Sequence, residues 1–148
     1  MQSLPKIYTI QASDAPQHTD RLRKILQGMK TEKRIRGHTV FNLDDDLSTL
    51  SHLVREQDMI LLPLTNQIEP KRDEIGKKIR ELISGKPGLR VAEVLVDNMV
   101  YDNDFITFPA DLRPIRNRED MDSAWDGIAK SLKNMFPQKE VIESKPFP

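Results

Sequence analysis

Apolar positions along the chain alternate between short runs and helical spacing. Ile7 to Ile10 forms a strand-like run, closed by the turn residues Ser13, Asp14 and Pro16. Leu22, Ile25, Leu26 and Met29 then recur at i, i+3, i+4 and i+7, the spacing of one helix face. The basic stretch Lys30 to Arg36 and Gly37 end that helix, and Thr39 to Phe41 predicts a short second strand. Leu43, Leu47, Leu50 and Val54 return to helical spacing, with Asp44, Asp45 and Asp46 where acids suit a helix N-terminus. Met59 to Leu64 is continuously apolar, as a central parallel strand buried on both faces should be. Pro63 marks its end, because proline donates nothing to a ladder.

Pro70 suits the first turn of the next helix, which buries Ile75, Ile79, Leu82 and Ile83 and is stopped by SGKPG at 84–88. Leu89 to Val96 is the next strong strand, and Ile106 to Phe108 a weak last one. A final helix from about Asp120 sets Trp125, Ile128, Leu132 and Met135 on one face and ends at Pro137. Strands and helices thus alternate about five times, which predicts an α/β domain with a parallel sheet between two helical layers. One domain over residues 1–137 is expected, with 138–148 as a tail or linker to any further domain.

Composition narrows the partners and the chemistry. The chain has 148 residues, with 23 basic and 23 acidic side chains and a formal charge of zero. Nothing in that balance attracts nucleic acid or an anionic membrane. The longest apolar run is too short to span a bilayer, and no signal-like apolar stretch opens the sequence, so a soluble cytoplasmic protein is the expectation. The absence of cysteine removes disulfides, thiolate metal sites and a cysteine nucleophile. His18, His38 and His52 show no ligand spacing, so no metal is expected and they read as solvated or capping residues. Asp44 to Asp46 read as helix-capping acids, with a divalent cation as the rarer alternative.

In a doubly wound sheet of order 2-1-3-4-5, ligands bind beyond the carboxyl ends of the strands, between strands one and three. That places a candidate site between Gln11–Pro16 and Thr65–Pro70, with Asp73 and Glu74 on the adjoining helix. There is no G-x-G-x-x-G, no phosphate-binding P-loop and no G-x-S-x-G elbow. Leu64-Thr65-Asn66 stands where a phosphate-receiving domain needs an aspartate.

Four stretches together resemble a bacterial TIR (Toll/interleukin-1 receptor) domain. KIYTIQASDAPQHTDRLRKIL is similar to the family's first strand, loop and helix, with Ser13-Asp14 in its serine-aspartate position. SHLVREQDMILLPLT and PKRDEIGKKIREL resemble the segments around the central strand and the helix after it. FPADLRPIRNREDMDSAWDGIAKSL resembles the C-terminal stretch, where a Pro-rich loop precedes an Arg-acid pair, Ala-Trp and an amphipathic helix. The likeness covers Lys6 to Phe136. It implies a flavodoxin-like, TIR-type three-layer sandwich around a central five-stranded parallel sheet.

The resemblance also implies two functions. Some TIR domains cleave NAD⁺ to nicotinamide and ADP-ribose products, often in antiphage defence or cell death. Others are non-catalytic signalling modules that assemble with TIR or partner domains. Under the first, NAD⁺ is substrate rather than cofactor, Glu74 is the catalytic carboxylate, and Ser13, Asp14, Thr65 and Asn66 supply substrate contacts. Self-association or docking to other TIR domains is expected: in the enzymatic reading because TIR active sites are typically completed by a neighbour, in the other because the module binds another TIR domain or a fused partner domain. The chain departs from the family at three places. Pro70 occupies the usual aromatic position, the 65–74 loop is about three residues short by comparison, and the loop after the second strand contracts to Asn42–Asp46 without its Trp-x-Asp.

Each of these residues also has an ordinary structural role. Glu74 suits a first helical turn and sits i, i+4 from Lys78. Ser13 and Asp14 suit a turn or cap. Trp125 suits the core, as Tyr101, Phe105 and Phe108 suit packing. KTEKRIRG at 30–37 suits a solvated helix end, with a docking patch as the alternative.

Overall fold

A computed structural model describes residues 4–102 and 104–138. The expected tail falls on 138–148, all but its first residue outside the described residues. The strands are β1 (Lys6–Gln11), β2 (Gly37–Asn42), β3 (Met59–Leu64), β4 (Arg90–Leu95) and β5 (Ile106–Phe108). The helices are α1 (Pro16–Thr31), α2 (Leu50–Leu53), α3 (Arg72–Gly85) and α4 (Met121–Met135), with 3₁₀ segments at Leu47–Thr49 and Asn66–Lys71. All pairings are parallel and the strand order is β2-β1-β3-β4-β5, the flavodoxin-like arrangement with its switch between β1 and β3.

Alternation along the buried strands builds one core on each face. Ile7, Met59, Leu61, Ala92 and Val94 pack beneath Leu22, Leu26 and Met29 of α1 and Trp125, Ile128 and Leu132 of α4. Tyr8, Ile10, Ile60, Leu62, Val91 and Leu95 face Leu47 and Leu50 on one side and Ile75 and Ile79 of α3 on the other. Helices therefore cover both faces, in three layers.

The chain departs from pattern reading in several places. Pro63 does not end β3, which runs to Leu64 in register with Leu95. Pairing with β1 stops at Thr9↔Leu61, two residues earlier, so the proline sits past that ladder. Pro70 lies inside the 3₁₀ segment, and α3 begins only at Arg72.

The helix expected from Leu43 to Val54 shrinks to a 3₁₀ turn and the single turn of α2. Its acids cap and tie the loop: Asp46 accepts from Ser48 N, and Asp45 from Asn42 N. After Leu53 the backbone becomes extended at Val54.

The basic stretch after α1 is more than a solvated end. Lys33 adopts φ 60° and Arg34 N bonds back to Met29 O at 2.9 Å, a left-handed helix stop in which lysine replaces the usual glycine. Ile35 is buried, Arg34 donates to the carbonyls of Lys133 and Phe136, and Gly37 opens β2 instead of closing the helix.

Between β4 and β5 the described residues form no helix. The α3 side of this crossover is closed instead by a loop, with Tyr101 and Phe105 packed on the second core.

Candidate functional site

The loops that follow β1, β3, β4 and β5 meet at one rim. Ser13 donates through its N–H and its hydroxyl to Gln67 Oε1 (3.1 and 3.3 Å). Gln67 N returns a bond to Asp14 Oδ2 at 2.9 Å. The expected meeting of the 11–16 and 65–71 segments is thus made by a reciprocal clasp, and its centre is Gln67.

A second set of bonds extends the clasp across β4. Asn66 N donates to Asp97 Oδ2 at 2.9 Å, and Asp97 N to Leu64 O at 2.9 Å. Arg116 grips the same carboxylate through Nε and Nη2, the latter at 3.1 Å, and also reaches Asp14 O at 3.3 Å. The bidentate hold on Asp97 raises the Arg116 pKa above its ordinary value, and burial works in the opposite direction. Ile115 N and Arg116 N bond to Leu95 O and Val96 O, so the 109–118 loop is laid along the end of β4.

Of the four expected substrate contacts, Ser13 and Asp14 are spent on Gln67, and the Asn66 N–H on Asp97. Thr65 is fully buried, and neither its hydroxyl nor Asp14 Oδ1 has a hydrogen-bond partner. Both are buried oxygens at this rim left without a partner.

Glu74 lies in the first turn of α3 with its side chain 67% exposed, and Lys78 Nζ stands 3.9 Å from its Oε1. It lines none of the described concavities. An ion pair this open and this long contributes little to stability. The preceding 3₁₀ segment is tied to the loop after β2 through Lys71 and Asp44 (3.0 Å), so that loop lies beside this helix start.

A groove of about 670 Å³ opens between α3 and the loop that joins β4 to β5. Its floor holds Leu62 and Glu93, and its walls include Arg72, Gly76, Arg80 and Phe105. Glu93 is 1% exposed, on an otherwise apolar face of β4. It binds Arg72 Nη2 at 2.9 Å and accepts from Asp102 N at 2.6 Å. Arg80 pairs with Asp102 and lies over the Phe105 ring, 5.3 Å from its centroid.

Sequence reasoning did not single out Gln67, Glu93, Asp97 or Arg116. The signal for two of them was present: Glu93 interrupts the apolar run from Val91 to Val96, and Asp97 follows that run directly. His18 also differs from expectation. It is buried, and its Nδ1 accepts from Trp125 Nε1. No group of metal-ligating side chains occurs among the described residues, and no helix among them is long and apolar enough to cross a membrane. Comparison with protein families, curated proteins and solved structures finds no match to this chain.

Proposed function

We propose that the chain is a non-catalytic TIR-type signalling module that assembles with other TIR or partner domains. The observation that supports this reading is the state of the rim in one protomer. The loops that would hold a substrate bond to one another, and Glu74 stands outside every described concavity. A small-molecule site normally buries most of its ligand in a preformed cleft, and Glu74 of a single protomer stands open to solvent.

A second reading is supported by the placement of Glu74. It opens the helix after the central strand, with an accessible carboxylate and a distant lysine as its ion-pair partner. In this reading a neighbouring protomer closes over α3 and the assembly cleaves NAD⁺. The bond from the ribose C1′ to the nicotinamide nitrogen breaks with its electron pair going to nicotinamide, which leaves neutral without a general acid. The Glu74 carboxylate stabilises the oxocarbenium-like ribose. Water adds at C1′ and its proton goes to solvent, giving ADP-ribose.

Light scattering across a concentration series, run in parallel with NAD⁺ incubation and detection of nicotinamide, tests both. Concentration-dependent assembly without nicotinamide is the result expected of the module. Nicotinamide released only by the assembled protein, and lost in Glu74→Gln, establishes the second reading. A protein that stays monomeric and releases nothing at any concentration overturns both. Glu74→Gln itself should change folding stability by less than about 0.5 kcal/mol, since it replaces an exposed side chain; urea denaturation checks this.

A further inference from the structure

His18 and Trp125 meet at the seam between α1 and α4, beside the rim. Trp125 Nε1–H donates to His18 Nδ1 at 3.4 Å, and the rings lie 6.1 Å apart at 25°. An acceptor at Nδ1 corresponds to a neutral imidazole with its proton on Nε2. Three charged groups from the surrounding segments act on the ring. Arg116 comes from the 109–118 loop, and Asp97 from the end of β4. Arg21 lies one turn further along α1 and is itself paired with Asp122 of α4.

We propose that His18 and Trp125 form a proton-operated latch that fixes the start of α1 to α4 when neutral and releases it when His18 is protonated. An imidazolium turns Nδ1 into a donor, so two N–H groups face each other across the seam. It also sets a second cation near Arg116, the residue that holds Asp97 and the Asp14 carbonyl. Asp97 offsets part of that charge but is already committed to Arg116 and Asn66 N. The loss therefore passes from the helix seam to the rim clasp.

The sign of the pH effect follows from the site. Burial, first, and Arg116, second, hold His18 below its ordinary value, while Asp97 pulls the other way. The unfolded chain takes up its proton near pH 6.5, and the folded chain only at lower pH. The stability contributed by neutral His18 is complete above about pH 6.5. It falls as the pH drops from there to the folded-state value. His38, held down by burial and then by Arg23, Lys30 and Lys6, adds a change of the same sign, so a His18-specific readout is needed.

Trp125 is the sole tryptophan, which makes its fluorescence that readout. Emission should change sigmoidally with a midpoint below about pH 6.5, and the profile should be flat in His18→Asn, whose Oδ1 accepts at the Nδ1 position without titrating. Should His18→Asn fail to fold, the imidazole proton resonance of His18 in the unaltered protein decides the matter. A midpoint at or above pH 6.5, pH-independent emission, or an unchanged titration in His18→Asn overturns the latch.

Discussion

Arg72→Met is expected to cost about 3–5 kcal/mol of folding stability, and adding Glu93→Gln in the same chain should restore most of it. The asymmetry comes from burial. Glu93 is 1% exposed within the second core, and the Arg72 side chain that neutralises it is 17% exposed. Removing the arginine leaves a buried carboxylate that still accepts from Asp102 N and shares its face of the sheet with Leu62, Val91 and Leu95. An uncompensated buried charge costs far more than a buried ion pair contributes. A glutamine at 93 carries no charge and still offers an oxygen to Asp102 N, so the double variant loses the pair without stranding either member. Such a domain has about 5–15 kcal/mol in total, so Arg72→Met alone should move the urea midpoint far enough to leave part of the population unfolded. Equal losses in the single and double variants would show that the pair is not coupled.

The same pair marks what sequence reading reached and what it missed. The apolar run of β3 and the helical spacing of α1, α3 and α4 identified those elements because one local periodicity decided each of them. The parallel order, the two helical layers and the meeting of the first and middle loops followed from that alternation. What was not legible depended on partners distant in sequence. Glu93 and Arg72 are separated by 21 positions, Asp97 and Arg116 by 19, and His18 and Trp125 by 107. A pattern of polar and apolar positions places Trp125 in the core, but it cannot see the counter-charge or donor that permits Glu93, Asp97 and His18 to be buried. Apolar spacing also misjudged length at Leu43–Val54: one turn is enough to place Leu47 and Leu50 on the sheet, and Val54 reaches the core from extended backbone. Glu74 was located correctly in the first turn of α3, but its exposure and the closing of the rim by Gln67 are properties of the folded loops.

Asp97→Ala should cost about 2–4 kcal/mol and loosen the rim, with Asp97→Asn near half of that. The carboxylate is 5% exposed and joins the β3 loop to the 109–118 loop, holding Asn66 N on one side and the Arg116 guanidinium on the other. Alanine leaves the Asn66 N–H without its acceptor, a loss counted at the full desolvation of a buried donor. The expected cost is smaller than for Arg72→Met because Arg116 is a third exposed and can return to water once released. Asparagine keeps one oxygen and can serve either neighbour, but not both with full charge. The effect should also be local in a way a core truncation is not. Amide exchange should quicken at Asn66 and Gln67, and at Ile115 and Arg116, which bond to the end of β4, while the amides of α3 beyond its first turn keep their protection. A loss under about 1 kcal/mol, or quickened exchange spread evenly over the sheet, would mean that the four loops are held by their backbones alone. In that case the clasp between Ser13, Asp14 and Gln67 would have to keep the rim closed without the support of Asp97.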